Sequence, residues 1–279
     1  MNDILCKQIA ADYCCSQKDV LDHQNHFTHY QFLPGRRRFQ EGSECFLKIA
    51  VINGKALFTG SPGIITWCRN EYVEAGAEWF FEAKNLRLLN DRLHEDGYQI
   101  QMVHPFYMSE RITEVDTADV EIRWYENEAI EQFRGDDRYS EAFAFDKDAP
   151  DVLGVSAVRK GLILGMAGAS SDSPTMWQIG ININPESREA GIGTMLVTLL
   201  KNEVLRRGFL PYYGTSMSHI ASQRVALGAG FLPAWAELVT SKMREEESHI
   251  KSSLCRFVCP LPMWTGLLAA GSSLSIKLF

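Results

Sequence analysis

The chain has 279 residues, 46% hydrophobic and 23% charged, with a formal net charge of −7. These are the proportions of a globular chain able to bury a sizeable core, in one large domain or two ordinary ones. The negative balance argues against a nucleic-acid partner, which would need a basic face, and suits a cationic or amine-bearing substrate. The seven cysteines, Cys6, Cys14, Cys15, Cys45, Cys68, Cys255 and Cys259, show no regular framework, and the chain far exceeds a disulfide-stapled module. The opening residues carry no apolar stretch of signal-peptide length, so the expected compartment is the cytoplasm, with reduced thiols.

In chain order, the first residues read as helical. Residues 44–59 form two strands around Asn53-Gly54, the strongest short signal for a tight hairpin. A short strand is expected at 77–81. Asn85 then caps a helix whose Leu86, Leu89 and Leu93 share one face, and Gly97 ends it. Residues 98–108 are extended, broken by Pro105. The polar stretch 109–118, rich in Thr and Asp, is the natural boundary between two halves. Beyond it come a strand at 120–125, a polar helix over 128–143, and a hairpin of 152–158 and 162–169 around Arg159-Lys160-Gly161. A strand at 176–184 puts Ile179, Ile181 and Ile183 on one face. The clearest helix, 191–207, carries Ile192, Met195, Leu196, Leu199, Leu200 and Val204 in one stripe and stops at Gly208. A strand at 211–216, a short helix at 220–229 and a last strand at 231–240 complete the pattern.

Strands separated by helices, with a hairpin early on, predict a mixed sheet covered by helices, an α/β (α+β) fold. The two halves echo each other weakly: Asn85 through Gly97-Tyr98 repeats in kind as His219 through Gly230-Phe231. Shared supersecondary habit and a duplicated domain both account for this. The expected domains are 1–112, 118–241 and a tail, 242–279. Residues 257–276 carry no charge over nearly a membrane-span length, but Pro260, Pro262, Gly266, Gly271 and Ser272-Ser273 interrupt them. A poorly ordered end is expected there rather than an anchor.

The chemistry concentrates in Arg188-Glu189-Ala190-Gly191-Ile192-Gly193, between a strand and the long helix. Glycines let a backbone approach a ligand closely. The first turn of a helix leaves its N–H groups without intrahelical partners, so the amides from Glu189 to Thr194 meet an anion at the positive end of the helix dipole. Arg188 adds a cation at the rim. No Lys-Ser or Lys-Thr follows the second glycine, which excludes a Walker loop, and Leu196 stands where a dinucleotide fingerprint wants Gly or Ala. A phosphate or pyrophosphate site fits this pattern better than glycines that only relieve crowding against the sheet.

The stretch resembles the pyrophosphate loop of the GNAT superfamily of N-acetyltransferases, Gln/Arg-x-x-Gly-x-Gly/Ala. The resemblance covers about 118–241, with Ile183-Asn184-Pro185 before the loop and Ser222, Val225 and Gly230-Phe231 after it. It implies a mixed, splayed sheet flanked by helices, parting between the strand that ends at Ile183 and the strand at 211–216. The N-terminal α/β domain is then a family-specific extension or a degenerate GNAT-like half. The resemblance also implies acetyl-CoA as cosubstrate, with pantetheine on the backbone of Ile181 and Ile183. The pyrophosphate would rest on Arg188, Glu189, Ala190, Gly191, Ile192, Gly193 and Thr194. The acetyl group would pass directly to the primary amine of a small-molecule or peptide acceptor.

Two positions depart from the family pattern. His219 stands where many members carry Asn, and Ala226 where many carry the Tyr that protonates the departing thiolate. A non-catalytic acyl-CoA-binding sensor is therefore the alternative reading. His219 and Ser222 are the candidate catalytic residues, with Tyr212 and Tyr213 as further donors. His219 has the best intrinsic pKa for moving a proton near neutrality, and a helix-capping role for its imidazole stays open. Glu237 reads as a solvated strand carboxylate before an amine-side base, and Arg36-Arg37-Arg38 as a solvated turn before a phosphate contact. Trp79-Phe80-Phe81 and Trp235 read as packing. No metal is expected, because Cys14, Cys15, His23, His26 and His29 lack CxxC pairing. Neither nucleic acid nor membrane is expected as a partner, and a homodimer is compatible with the sequence.

Overall fold

The structure, a computed structural model, describes residues 1–37, 44–117, 120–187 and 191–243. Helix α1 (Asp3–Asp12) starts at Asn2, whose side chain accepts from the amides of Ile4 and Leu5. Helix α2 (Gln17–Leu21) starts at a capping box of Ser16 with Asp19. Strands β2 (Leu47–Ile52) and β3 (Lys55–Gly60) close on Asn53-Gly54, both at positive φ, as a two-residue hairpin turn requires. Strand β1 (His26–His29) lies parallel along β3. Helices α3 (Pro62–Tyr72) and α4 (Ala83–Glu95) lead into β4 (Tyr98–Met108). The second half supplies β5 (Glu121–Glu126), the hairpin of β6 (Asp151–Arg159) and β7 (Leu162–Ser170), and β8 (Met176–Ile183). It ends with α5 (Ile192–Arg206), β9 (Leu210–Gly214), α6 (Ile220–Gly228) and β10 (Leu232–Lys242).

All ten strands share one sheet, in the order β1-β3-β2-β10-β4-β9-β8-β7-β6-β5. The segment 109–117 connects β4 to β5, but the strands before and after it interleave. Strand β4 lies between β9 and β10, and β10 lies between β4 and β2. The connection is tied to α5: Asn202 accepts from the Thr113 amide at 3.0 Å and donates to its carbonyl at 2.7 Å. The buried Lys201 ammonium donates to the Thr113 hydroxyl at 2.8 Å and to the Ala229 carbonyl, past the end of α6, at 2.9 Å. Burial lowers the pKa of that ammonium.

Strand alternation sends side chains to two faces. On one, Leu153, Val155, Ala167 and Ile179 pack against Leu196, Val197, Leu200 and Val204 of α5; of these helix residues all but Val197 belong to the expected stripe, whose Met195 and Leu199 are only partly buried. Helices α3 and α4 cover Ile49, Phe58 and Leu238 with Ile64, Ile65, Leu89 and Leu93. On the other face, Leu5, Cys6 and Ile9 of α1 meet Leu57, Phe106, Tyr212 and Trp235.

At the centre of that second face lies a buried ion cluster. Arg37 is 2% exposed. Its Nε donates to Asp12 Oδ2 at 2.5 Å, its backbone N–H to Asp12 Oδ1 at 2.7 Å, and a terminal guanidinium nitrogen to Glu237 Oε1. Trp235 Nε1 donates to the same Glu237 oxygen at 2.8 Å. Burial opposes the guanidinium charge, but Asp12 and Glu237 overcome it and hold the pKa above its ordinary value. The rings of Trp235, Tyr212 and Phe106 lie 5.0, 5.5 and 5.8 Å from the guanidinium carbon. This corrects two expectations: Arg37 is not on a solvated turn, and Glu237, 1% exposed, is not a solvated carboxylate. Arg38 lies outside the described residues.

Four local expectations also give way. The stretch 77–81 is a single 3-10 turn, Ala77–Trp79, rather than a strand. It exposes Trp79 (72%) and buries Phe80 edge-on to Phe58 and Tyr72, at 5.4 and 5.0 Å between centroids. The helix read as capped by Asn85 begins two residues earlier, and the Asn85 side-chain Nδ2 donates to the Trp79 carbonyl at 3.2 Å. Pro105 does not break β4. Its carbonyl accepts from Thr215 N–H at 3.4 Å on the β9 side, just past the last registered pair, Phe106↔Gly214, so no ladder donor is missed. The helix read at 128–143 is two 3-10 turns, Asn127–Phe133 and Asp137–Tyr139, separated by Gly135 at φ +79°. The chain after them lies directly on the sheet. A Cβ on Gly180 would stand 1.8 Å from the Glu141 carbonyl oxygen, and one on Gly168 2.0 Å from that of Ala142. A helix is too thick to approach that closely.

Removing Arg37 should expose the weight of the ion cluster. The Arg37→Ala change leaves Asp12 and Glu237 buried without their cation, and urea unfolding should lose about 3–5 kcal/mol. A loss of only about 1 kcal/mol, that of a surface pair, would contradict this account.

Candidate active site

Strands β8 and β9 are parallel neighbours for three registered pairs, Met176↔Leu210, Trp177↔Pro211 and Gln178↔Tyr212, and part beyond them. On its other edge β8 stays paired with β7 as far as Ile183. Asn184 N–H donates to the Leu164 carbonyl at 2.9 Å, continuing that ladder. Alternation along β8 therefore turns the backbone of Ile181 and Ile183 the other way, into the gap. The parting expected after the resemblance is present at the expected strands. Pro211 sits in β9 without loss of a ladder bond. Leu210 N–H points to the β8 side, donating to Thr175, so the proline nitrogen faces β4 beyond the last pair there, Met108↔Tyr212.

The mouth of the gap is the start of α5. Gly191 has φ +73° at the N-cap, and no side chain caps the helix. The amides of Ile192, Gly193 and Thr194 belong to the open first turn. A Cβ on Gly191 would meet no atom of the described residues within 4 Å, so this glycine serves conformation. Gly193 serves close packing: a Cβ there would stand 3.2 Å from Val225 Cγ2 and 3.5 Å from Ile183 Cγ1. The end of β8, the start of α5 and α6 thus converge on Gly193. Arg188, Glu189 and Ala190 lie outside the described residues. A hollow of about 500 Å³ is lined in part by Arg138, Tyr139, Leu162, Asn184 and Glu186.

The candidate proton donors separate cleanly. Tyr212 points to the α1 face, where its hydroxyl donates to Asp172 at 2.6 Å and to Gln178 at 3.2 Å. Burial, reinforced by Asp172, pushes its pKa well up, so it belongs to the core. Tyr213 faces α6, and its Oη lies 2.8 Å from Ser222 Oγ. Burial raises the Tyr213 hydroxyl and the bond to Ser222 draws it back down. His219 is exposed at the N-cap of α6 and makes no side-chain capping bond, which corrects the capping reading. Ala226 is 0% exposed in the cluster that holds Ile179, Leu196 and Phe231. A tyrosine would not fit there without displacing them.

Residues 119–231 match the family model described as the acetyltransferase (GNAT) family. That segment of the chain belongs to the GNAT superfamily. No curated protein sequence matches it. Among solved structures, a GCN5-related N-acetyltransferase-like protein from Streptococcus suis is 14% identical, covers 76% of this chain and 89% of that one, and has a TM-score of 0.44. A GCN5-related N-acetyltransferase from Kribbella flavida is 16% identical over 59% of this chain and 66% of that one, with a TM-score of 0.41. The aminoglycoside N-acetyltransferase AAC(6')-Iy, solved with CoA, is 22% identical over 41% of this chain and 92% of that one, with a TM-score of 0.32.

Strand β4 lies outside the matched residues and pairs with β9. Strand β4 supplies the wall beyond β9, and there the sequence reading missed one residue, His104. It is half-buried, two positions before Phe106 and opposite Glu237 in register. Burial lowers its imidazole pKa. Elsewhere, Asp19, Asp22 and His26 offer ligand atoms within 4.8 Å of one another. Lys55 Nζ already donates to that group, at 3.1 Å to Asp22 Oδ1 and 2.6 Å to the Asp19 carbonyl. Among the described residues no helix is long and apolar enough to cross a membrane, and the uncharged stretch 257–276 lies outside them.

The two loop glycines predict different costs. Gly191→Ala should lose about 1–2 kcal/mol in urea unfolding through left-handed strain alone. Gly193→Val should lose about 1–3 kcal/mol by driving Val225 and Ile183 apart. Unchanged stability in both would contradict the convergence at this loop.

Proposed function

We propose that this protein transfers an acetyl group from acetyl-CoA to the primary amine of a small-molecule or peptide acceptor, by direct attack in a ternary complex. The observation that carries the reading is the gap past Gln178, with an unpaired β8 edge on one wall and an uncapped helix start at its mouth. Family membership supports acetyl-CoA as the donor. Pantetheine amides would add to the backbone of Ile181 and Ile183 as an extra strand does. The pyrophosphate would sit on Arg188, Glu189, Ala190, Gly191, Ile192, Gly193 and Thr194, where free amides and the helix dipole meet negative charge. Among the described residues no atom lies within 4 Å of where a Gly191 Cβ would be.

In this reading Ser222 and Tyr213 take the place of the usual tyrosine. The half-buried Ser222 hydroxyl gives a proton to the departing thiolate and is resupplied by Tyr213 at 2.8 Å. His219, exposed three residues before Ser222, is the further candidate catalytic residue at this end of α6. Alignment of amine and thioester in the gap lowers the barrier further. The net charge of −7 suits a cationic acceptor.

Acetyl-CoA at about a hundred times its Kd should stabilise the protein by about 2.7 kcal/mol, read as a rise in Tm. Gly191→Val should abolish that rise. Thiol release with a panel of amines should follow, and Tyr213→Phe or Ser222→Ala should cut kcat by about 10²-fold or more with the Tm rise intact. A Tm rise with no turnover on any amine would instead favour the acyl-CoA sensor, and no Tm rise at all would end the coenzyme reading.

A further inference from the structure

Strand β4 runs past the end of its neighbour. Strand β9 stops at Gly214, opposite Phe106, while β4 continues back to Tyr98. On that side β4 meets Thr215 N–H at the Pro105 carbonyl and has no further registered pair, so the strand edge at His104 borders the opening beyond β9. Alternation settles which face its side chains take. Phe106 stacks on Trp235, 5.1 Å between centroids, on the α1 face of the sheet. His104, two residues away, takes the same face, as does its cross-strand partner Glu237. Tyr213 and Ser222 lie on the opposite face, against α6.

The imidazole is also distinct from the other described histidines. His26 contacts Asp22 at 2.8 Å and His94 contacts Asn90 at 3.1 Å. His23, His29 and His219 are exposed. Among the described residues, His104 is the half-buried histidine to which no hydrogen bond or ion pair is assigned. The charged groups on its face include Glu237 from β10, with Arg37 and Asp12 from the α1 side, bonded to one another, together with Lys48 of β2 over the Tyr13 ring and Asp172 against Tyr212. Burial holds the imidazole below its ordinary pKa, so it is neutral near pH 7 and ready to accept a proton.

We propose that His104 is the base that receives the acceptor's proton, from the face of the gap opposite the Ser222–Tyr213 donor pair. This rests on the transferase reading above. The acceptor ammonium gives one proton to the His104 imidazole. The freed lone pair attacks the thioester carbonyl, the C–N bond forms and the C–S bond breaks. The sulfur takes the Ser222 hydroxyl proton, which Tyr213 replaces. The second proton on the new amide nitrogen leaves and restores the phenol, and imidazolium releases its proton to solvent.

The test uses the full chain with acetyl-CoA and three acceptor probes: spermidine, kanamycin, and a peptide with a free N-terminus and one lysine. His104→Gln and His104→Asn should lower kcat/KM for thiol release by about 10²-fold or more while keeping the acetyl-CoA rise in Tm. The acid limb of the wild-type kcat/KM profile should vanish in both. Diethyl pyrocarbonate should modify His104 in the folded protein, read by peptide mass. Unchanged kcat/KM in the variants, or an unreactive His104, overturns the proposal alone. A Tm rise with no turnover on any probe by the wild type overturns the transferase reading and this one with it.

Discussion

Strand β9 is five residues long, while β8 and β4 on either side of it are eight and eleven. Past Gln178 the edge of β8 has no registered partner on the β9 side, and before Phe106 β4 has none there beyond Thr215. Backbone N–H and C=O groups left unpaired in a sheet interior are costly unless water or a ligand meets them. The gap therefore sets the rest of the site. It turns Ile181 and Ile183 toward an incoming amide chain, places the start of α5 at its mouth, and leaves opposite faces for two proton-transfer groups.

That gap is held open by a sheet that belongs to both halves of the chain. The last strand of the first half, β4, stands between β9 and β10, and the last strand of the second half stands between β4 and β2. Arg37 fixes this exchange from one face by joining Asp12 on α1 to Glu237 on β10. On the other face Asn202 and Lys201 pin the crossing segment at Thr113. The first half is thus part of the wall opposite β8, which gives it a place in acceptor recognition under the proposed function.

The parts legible in the sequence were those whose signals are local. Asn53-Gly54 and Lys160-Gly161 mark hairpins because left-handed turns demand those residues. The α5 stripe and the Gly191–Gly193 spacing are periodic and self-contained. The misread parts depend on distant partners. The stretch 128–143 resembled a helix, but Gly168 and Gly180, on other strands, let its chain lie flat on the sheet. Arg37 and Glu237 are 200 residues apart, so each looked solvated alone. His104 was hidden in the same way, because only the register of β4 against β9 and β10 brings it to the gap. Tyr212 and Tyr213 looked equivalent until alternation sent them to opposite faces.

The central claim is that the unpaired β8 edge and the first turn of α5 receive acetyl-CoA together. Residue-resolved amide hydrogen exchange, with and without acetyl-CoA, tests it most directly. The account predicts slowed exchange at Ile181, Ile183, Ile192, Gly193 and Thr194, with α3 and α4 unchanged. Bound acetyl-CoA that leaves Ile181 and Ile183 exchanging at their free rates, and protects amides elsewhere, would contradict it.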